Sequence, residues 1–296
     1  MRRPTAVLLI AMLSTGVSTL PAFARDKKKD PTQIGDRNVS KGLNFYSLAQ
    51  EIALGKQLSI EVRKQAKIVD DPIVSEYINR LGQNLARHSD VTFPVTFNLI
   101  EADEINAFTL PGGYVFINTG LLKLSANEAE LASAIAHELG HAAARHATRQ
   151  ASRDRLANLG TIPLAILGGP AAQLAVNAAM PMAFLHFSRE FETEADLLGL
   201  QYLWKAGYDP DASIDLFEAL ESTEKRQPGS VSKLFRSHPL TPDRIEKTQK
   251  NIDMLLPARA QYVLNTSEYE DVRARLDELS KQPPESPKLP QLRRAN

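Results

Sequence analysis

The feature that most constrains this chain is a stretch of fourteen residues near its middle, LASAIAHELGHAAA (131–144). Every residue in it is small or apolar except one serine, one glutamate and two histidines. Alanine and leucine favour a helix, and a helix that is apolar on all sides is expected to be buried. A buried carboxylate is costly unless an opposite charge or hydrogen bonds compensate it. The fold must therefore supply a partner for Glu138, which lies between His137 and His141.

A metal ion is the partner that the spacing favours. His137 and His141 are four residues apart, so a helix places both imidazoles on one face, where they can bind a single ion. Glu138 lies about 100° further round the helix, beside that ion, where it can accept a proton from a water molecule activated by zinc. The H-E-x-x-H pattern therefore predicts a catalytic zinc site with Glu138 as the general base.

A catalytic zinc needs a third protein ligand, while its fourth position stays available for water. His146 is a poor candidate, because nine residues along a helix turn a side chain about 180° away from His137. The longer H-E-x-x-H-x-x-G-x-x-H pattern also fails, since Ala144 and Ala147 stand where it requires glycine and histidine. The third ligand must come from another element.

The best source is the segment FSREFETEADLLGLQYL, which begins at Phe187. Its apolar residues recur at helical spacing and predict a face turned toward the core. That face consists of Phe187, Phe191, Ala195, Leu198 and Tyr202.

The acidic residues of this segment fall on two sides of the predicted helix. Glu190 and Glu194 share a side with Gln201 and are expected to be solvated. Glu192 and Asp196 lie one turn apart on the opposite flank, which suits a zinc ligand and a carboxylate that accepts the free N–H of a zinc histidine. We expect Glu192 to bind zinc and Asp196 to orient the histidine; Glu194 is the alternative ligand.

The rest of the chain predicts a mainly helical α+β protein. Apolar spacing predicts helices at 47–66, 71–88, 184–206, 211–223, 241–255 and 267–280, and extended stretches at 95–99 and around 107–117. Ser125 and Glu128 have the spacing of a capping box at the start of the zinc helix.

These motifs together resemble the gluzincin metallopeptidases related to the CAAX prenyl proteases, HtpX and the mitochondrial OMA-type protease. The resemblance rests on H-E-x-x-H followed by ETEAD (192–196), with EIALGKQ, NAFTLPGGYVFINTGLL and SHPLTPDRI around them. It covers about 48–252 and is nearest to the soluble periplasmic members of BepA type. It implies a zincin fold with a small antiparallel sheet beside the H-E-x-x-H helix.

The resemblance also implies roles for individual residues. His137, His141 and Glu192 match the zinc ligands, and Glu138, Asp196 and His238 match catalytic positions. His238 matches a histidine near the metal that either assists the transition state or caps the zinc in a latent form. Arg244 matches an arginine that braces the His238 loop, and Asn106 and Phe108 match an edge strand that pairs with substrate.

Composition limits the remaining possibilities. The 35 basic and 35 acidic residues balance, which does not favour a nucleic-acid partner, and the absence of cysteine excludes disulfides, thiolate ligands and a lipidated N-terminal cysteine. The N-terminal 24 residues have the charged start, apolar core and Ala-Phe-Ala end of a cleaved secretory signal, which predicts a periplasmic protein. We expect a flexible leader at 25–45, a peptidase domain at 46–256 and a C-terminal helix with a disordered Pro-rich basic tail at 257–296.

The sequence therefore predicts a metalloendopeptidase with one Zn²⁺ per chain, acting on misfolded or unfolded polypeptides, with the outer-membrane assembly machinery as a possible partner. Segment 156–188 has no Asp, Glu, Lys or Arg between Leu156 and Ser188 and is either a cover over the site or a peripheral membrane contact. Two alternatives stay open. One is a periplasmic chaperone or assembly factor with a latent or structural zinc site, and the other is a zinc hydrolase acting on a non-peptide bond.

Overall fold

The computed structural model of the chain describes residues 27–157, 187–228, 234, 238 and 242–281. The predicted signal sequence, nearly all of the uncharged segment 156–188 and the Pro-rich end from Gln282 lie outside the described residues.

The two helices predicted nearest the N-terminus are confirmed as α1 (Leu48–Gln65) and α2 (Pro72–Arg87). Ser47 begins α1 with a capping box completed by Gln50. Asp71 begins α2, accepting a hydrogen bond from the Val74 N–H, and proline fills the first helical position, where its missing N–H costs nothing.

Three strands form the sheet of the described part of the chain: β1 (Thr96–Ile100), β2 (Ala107–Leu110) and β3 (Tyr114–Asn118). The order is β1-β3-β2, with β3 parallel to β1 and antiparallel to β2. The sheet is therefore mixed, and the prediction of an antiparallel sheet is wrong for β1. The connection from β1 to β2 leaves room for one strand between them, and β3 takes this central position. Its residues Val115, Phe116 and Ile117 are buried because both faces of the strand are covered.

The helix that carries the H-E-x-x-H motif, α4 (Glu128–Ala143), follows the short helix α3 (Thr119–Leu124). The predicted capping box at Ser125 and Glu128 is wrong. Asn127 is the N-cap, accepting from the Glu130 N–H, while the Ser125 hydroxyl donates to the Leu121 carbonyl at the end of α3. Ser125 is therefore the C-cap of α3, and α4 begins three residues later at Glu128.

The remaining helices of the described residues are α5 (His146–Ala157), α6 (Arg189–Lys205), α7 (Ala212–Arg226), α8 (Pro242–Leu255) and α9 (Ser267–Lys281). The predicted core face of α6 is confirmed, with its five residues at most 4% exposed. Helix α9 packs on α2 and α3 through Tyr269, Val272 and Leu276. The Tyr269 hydroxyl donates to the carbonyls of Leu122 and Ser125, which fixes α9 at the start of α4.

Residues 27–39 are packed against the rest of the protein, which differs from the flexible leader expected from their lysine-rich composition. Val39 is 2% exposed, and Arg37 forms a buried ion pair with Asp90. Arg37 also donates to the side chain of Gln201 on α6 and to backbone carbonyls of the same segment, including that of Lys28. Three buried residues, Pro31, Arg37 and Val39, anchor this largely exposed segment, and the composition of the segment does not reveal them.

Among the described helices, none combines the length and the apolar character needed to cross a lipid bilayer.

Candidate metal centre

Helices α4 and α6 cross at very short range, and this crossing builds the site. A Cβ atom placed on Gly199 would lie 2.8 Å from the Cα of His137, and one placed on Gly140 would lie 2.8 Å from the Ala195 carbonyl oxygen. Only glycine fits at such separations. The two glycines therefore let the acidic flank of α6 meet the histidine face of α4.

Four side chains converge at this crossing: His137 and His141 from α4, Glu192 from α6, and His238 from the segment before α8. One ligand atom from each lies within 4.8 Å of every other. The Nε2 atoms of His137 and His141 are 3.0 Å apart, and Glu192 oxygens lie 3.5 and 3.4 Å from them. The Nδ1 atom of His238 is 3.0 Å from Glu192 Oε1 and 3.3 Å from His137 Nε2.

These separations fit a tetrahedral zinc site. Ligands about 2.0–2.1 Å from zinc at tetrahedral angles are about 3.3–3.4 Å from one another. Within the described residues, the buried atoms Glu192 Oε2 and His238 Nε2 have no hydrogen-bond partner. Buried polar atoms are rarely left unpaired, so a cation between these side chains explains the separations and the unpaired oxygen of Glu192. His238 Nε2 lies on the other side of its ring, where it faces Glu138.

Glu138 is 2% exposed and lies beside the four-residue cluster. Its Oε1 atom is 3.3 Å from His238 Nε2, and its Oε2 atom has no hydrogen-bond partner in the described part of the chain. The carboxylate is thus aimed at the cluster without belonging to it, as the helix geometry predicted. An unpaired carboxylate oxygen at this place can accept a proton.

Asp196 links one histidine of the cluster to Arg244. It accepts from His137 Nδ1 at 3.0 Å and from Arg244 Nε and Nη2 at 2.9 and 2.6 Å. Holding a proton on His137 Nδ1 leaves Nε2 free to bind a metal. Arg244, from α8, fixes the Asp196 carboxylate in place. That Arg244 also braces the His238 loop stays a prediction.

The protonation of the site follows from burial and from the two carboxylates. Burial lowers the pKa of His141 to about 3, so its imidazole is neutral and its lone pair is available to a metal. Burial also lowers the pKa of His137, but hydrogen bonds to Asp196 and Glu192 outweigh this effect and raise the pKa to about 10. A metal ion that binds Nε2 of His137 must therefore displace a proton from it. Burial raises the pKa of Asp196, yet Arg244 and His137 together bring it to about 2. The site therefore holds ionised carboxylates that attract a cation.

The structure corrects the prediction for Glu194. Its side chain is 14% exposed and contacts His146, Arg149 and Lys28, so it is neither solvated nor part of the candidate ligand group. The N-terminal segment covers this side of α6, which also buries Gln201. Glu190, one turn earlier, does lie at the surface, where it pairs with Arg153.

His146 is the residue whose place the sequence reasoning missed. It is not in the ligand group, as expected, but its Nδ1 atom lies 2.9 Å from Nδ1 of His141. The geometry that excluded it assumed one continuous helix. Helix α4 ends at Ala143 and Arg145 adopts φ 55°, so the chain turns and α5 begins with His146 beside His141. The only sequence signal for this turn is that two polar residues, Arg145 and His146, follow the alanine run at the end of α4.

The sheet places an outer strand next to the cluster. β2 contacts α4, and the Thr109 hydroxyl donates to the Glu138 carbonyl at 3.2 Å. Phe108 stacks on Phe116 of β3, while Asn106 precedes the strand with a buried Oδ1 atom that lacks a partner in the described chain. The predicted edge strand is thus beside the candidate site.

A cavity of about 60 Å³ opens beside Glu138 and His238. One end is polar, with His137, Asp196 and Arg244, and the other is mainly apolar and is formed by α7 and neighbouring elements. The apolar wall includes Ala107, Leu121, Ala134, Leu216, Phe217, Leu220 and Leu234. A polypeptide side chain adjoining the metal cluster has room there.

Comparisons with known proteins agree with this site. The sequence model of Peptidase family M48 matches residues 72–252. The beta-barrel assembly-enhancing protease of Escherichia coli O157:H7 is 32% identical over 273 residues, which cover 88% of this chain and 54% of that protein. The putative beta-barrel assembly-enhancing protease of Vibrio cholerae is 34% identical over 267 residues, with 86% and 54% covered. Mitochondrial metalloendopeptidase OMA1 of Saccharomyces cerevisiae is 37% identical over 150 residues, with 49% and 43% covered.

The family match runs from α2 into α8 and contains every residue of the metal centre. The chain spans about half the length of the beta-barrel assembly-enhancing proteases that it matches. M48 metallopeptidases are zinc-dependent, and the His-His-Glu-His cluster suits that ion. The resemblance expected from the sequence is confirmed, and this chain belongs to Peptidase family M48.

Proposed function

We propose that this protein is a zinc-dependent metalloendopeptidase in which His137, His141 and Glu192 hold the metal and Glu138 is the general base. The convergence of three ligand atoms at tetrahedral separations, with an unpaired buried carboxylate beside them, carries this proposal. A histidine pair alone would suit many structural sites. The free oxygen of Glu138 is what distinguishes a hydrolytic centre from a structural one.

When bound, zinc supplies a Lewis acid that polarises the scissile carbonyl and makes water acidic. Glu138 accepts the proton from the attacking water at Oε2 and later donates it to the leaving amine. Asp196 keeps the proton of His137 on Nδ1, and Arg244 keeps Asp196 in position. His238, whose Nε2 faces Glu138, can donate a hydrogen bond to the oxygen that gains charge in the transition state.

The substrate would lie along β2, in the region of Asn106 and Phe108. An extended peptide can add to an outer strand through main-chain hydrogen bonds, which recognise backbone more than sequence. Such recognition suits unfolded or misfolded polypeptides. Two of the relatives are named for beta-barrel assembly. Their names support our proposal that clients or partners of this protein come from the outer-membrane assembly machinery.

We also propose that the protein is periplasmic, because residues 1–24 have the pattern of a cleaved secretory signal. Segment 156–188 is proposed as either a cover over the site or a peripheral membrane contact, since it carries no charged residue between its ends.

The test compares casein and an unfolded outer-membrane porin as substrates for the wild type, Glu138→Gln and the surface control Glu190→Gln. Glu138→Gln should lower cleavage by about 10²–10⁴-fold, because the amide cannot accept the proton. It should still bind one zinc per chain, measured by elemental analysis. Full activity of Glu138→Gln, or a wild type that binds no stoichiometric zinc, would contradict the proposal.

One observation favours a second candidate, a chaperone or assembly factor with a latent zinc site. Nδ1 of His238 lies among the ligand atoms, where it would fill the fourth zinc position and exclude water. The His238→Ala variant distinguishes the two candidate functions. Faster cleavage by His238→Ala indicates a peptidase held in a closed resting state, whereas no cleavage by either the wild type or His238→Ala favours the chaperone.

A further inference from the structure

We infer that His146 and Glu194 are positioning residues that set the tautomer and orientation of the zinc ligand His141. This inference rests on the proposed zinc site. The observation behind it is a chain of side chains that runs from His141 through His146 to Glu194, with separations of 2.9 Å (Nδ1 to Nδ1) and 3.1 Å (Nε2 to Oε2).

The proton positions along this chain follow from the ligand geometry. Nε2 of His141 faces His137 and Glu192, so metal binding there leaves the His141 proton on Nδ1. That N–H can donate only if Nδ1 of His146 is unprotonated. His146 must then carry its proton on Nε2, which faces the Glu194 carboxylate. Glu194 thus selects the tautomer of His146, and His146 selects that of His141.

The protein encloses this chain and fixes it at both ends. His141 is 2% exposed and His146 is fully buried, so water does not compete for these hydrogen bonds. His141 stacks on Phe187 with ring centroids 4.0 Å apart, and His146 stacks on Phe191 at 4.3 Å. The two rings can therefore turn little.

Glu194 is held in turn by two cations. Arg149 of α5 lies 3.3 Å from its Oε2 atom, and Lys28 of the N-terminal segment binds its Oε1 atom. Each of the two histidines from α4 is thus oriented by a carboxylate. His137 donates directly to Asp196, whereas His141 is linked to Glu194 through the imidazole of His146.

The turn after α4 brings His146 to this place. Arg145 has φ 55°, a conformation that few residues other than glycine adopt. Its guanidinium binds Glu51 of α1 at 2.6 Å and the Tyr46 carbonyl at 2.8 Å. These contacts stabilise the left-handed backbone conformation of Arg145. This conformation turns the chain so that His146, the first residue of α5, lies beside His141.

The experiment measures the Kd for Zn²⁺ by chelator competition and the visible absorption of the Co²⁺-substituted full chain. The variants are His146→Ala, His146→Asn and Glu194→Gln, with Glu190→Gln as the matched control on the same helix. We expect His146→Ala to weaken Zn²⁺ binding by about 10–100-fold and to change the Co²⁺ spectrum. His146→Asn, whose amide oxygen can accept from His141, should recover part of the affinity.

Glu194→Gln should weaken Zn²⁺ binding by a smaller factor, and Glu190→Gln should leave it unchanged. If His146→Ala does not fold, His146→Asn and Glu194→Gln still decide the question. Unchanged Zn²⁺ affinity and an unchanged Co²⁺ spectrum in folded variants, with lower melting temperatures alone, would show a merely structural role and overturn this inference. That result leaves the peptidase proposal intact, whereas a wild type without stoichiometric zinc overturns both.

Discussion

At the scale of the residue, Leu216 tests which substrate side chains the candidate site prefers next to the scissile bond. It lies 4% exposed in the apolar wall of the cavity beside Glu138 and His238. A substrate residue next to the scissile bond would bury its side chain there, and each buried CH₂ group contributes about 0.8 kcal/mol. We therefore expect cleavage next to leucine, methionine or phenylalanine to exceed cleavage next to alanine or charged residues.

Leu216→Phe reduces this space and should shift the preference toward smaller side chains. We expect kcat/KM for a leucine-containing peptide to fall about 10-fold relative to its alanine counterpart, since a missing methylene changes discrimination by about 1–3 kcal/mol. Paired fluorogenic peptides measure the ratio, and the exposed α7 substitution Glu218→Gln is the control. An unchanged ratio would show that substrate does not enter this cavity.

The candidate zinc ligands illustrate what local spacing can and cannot predict. His137, His141 and Glu192 were predictable because helical periodicity alone brings each histidine to one face and separates Glu192 from the core face of α6. The burial of Glu194 was not predictable, because Lys28, one of the residues that cover it, lies 166 residues earlier in the chain. The other two, His146 and Arg149, reach it only because the chain turns between α4 and α5. His146 was missed because a single left-handed residue broke the helix that the prediction had extended.

At the scale of the element, the crossing of α4 and α6 is the main determinant of the site. Sequence pattern identified both helices but not their separation, since periodicity describes one helix and says nothing of the distance between two. Gly199 sets that distance, because the Cβ of any other residue would meet the His137 backbone at 2.8 Å.

Gly199→Ala should therefore push the helices apart and act on stability and metal binding together. Small-to-large changes at well-packed contacts cost about 1–3 kcal/mol of the free energy of unfolding, and zinc affinity should fall as Glu192 moves from His137. Urea denaturation and Zn²⁺ titration measure the two effects. Thr193→Ala, at an exposed position of the same helix, should change neither, and an equally silent Gly199→Ala would show that the crossing tolerates a methyl group.

At the scale of the whole molecule, two segments that lie outside the family motifs in sequence pack against the helices that carry those motifs. The segment 27–39 covers one side of α6, and α9 packs beneath the start of α4. The helix of α9 was predictable from its own spacing. The docking of the N-terminal segment was not, because it depends on a few buried contacts within a polar, lysine-rich stretch.

Arg37 tests whether that segment belongs to the fold. Its side chain is 1% exposed and pairs with Asp90, which is fully buried and also accepts from the Tyr202 hydroxyl. Arg37→Met would leave Asp90 as a buried carboxylate without its cation, and breaking such a pair costs about 3–5 kcal/mol.

We expect the urea midpoint of Arg37→Met to fall accordingly, while Arg87→Met, an exposed arginine on α2, should lie within about 0.5 kcal/mol of the wild type. Arg37→Met together with Asp90→Asn should recover part of the loss, because an amide is far less costly to bury than a lone carboxylate. A single variant as stable as the wild type would mean that residues 27–39 leave the surface of α6 in solution. The expected loss would show instead that the peptidase domain begins before α1, within the stretch whose composition predicted a flexible leader.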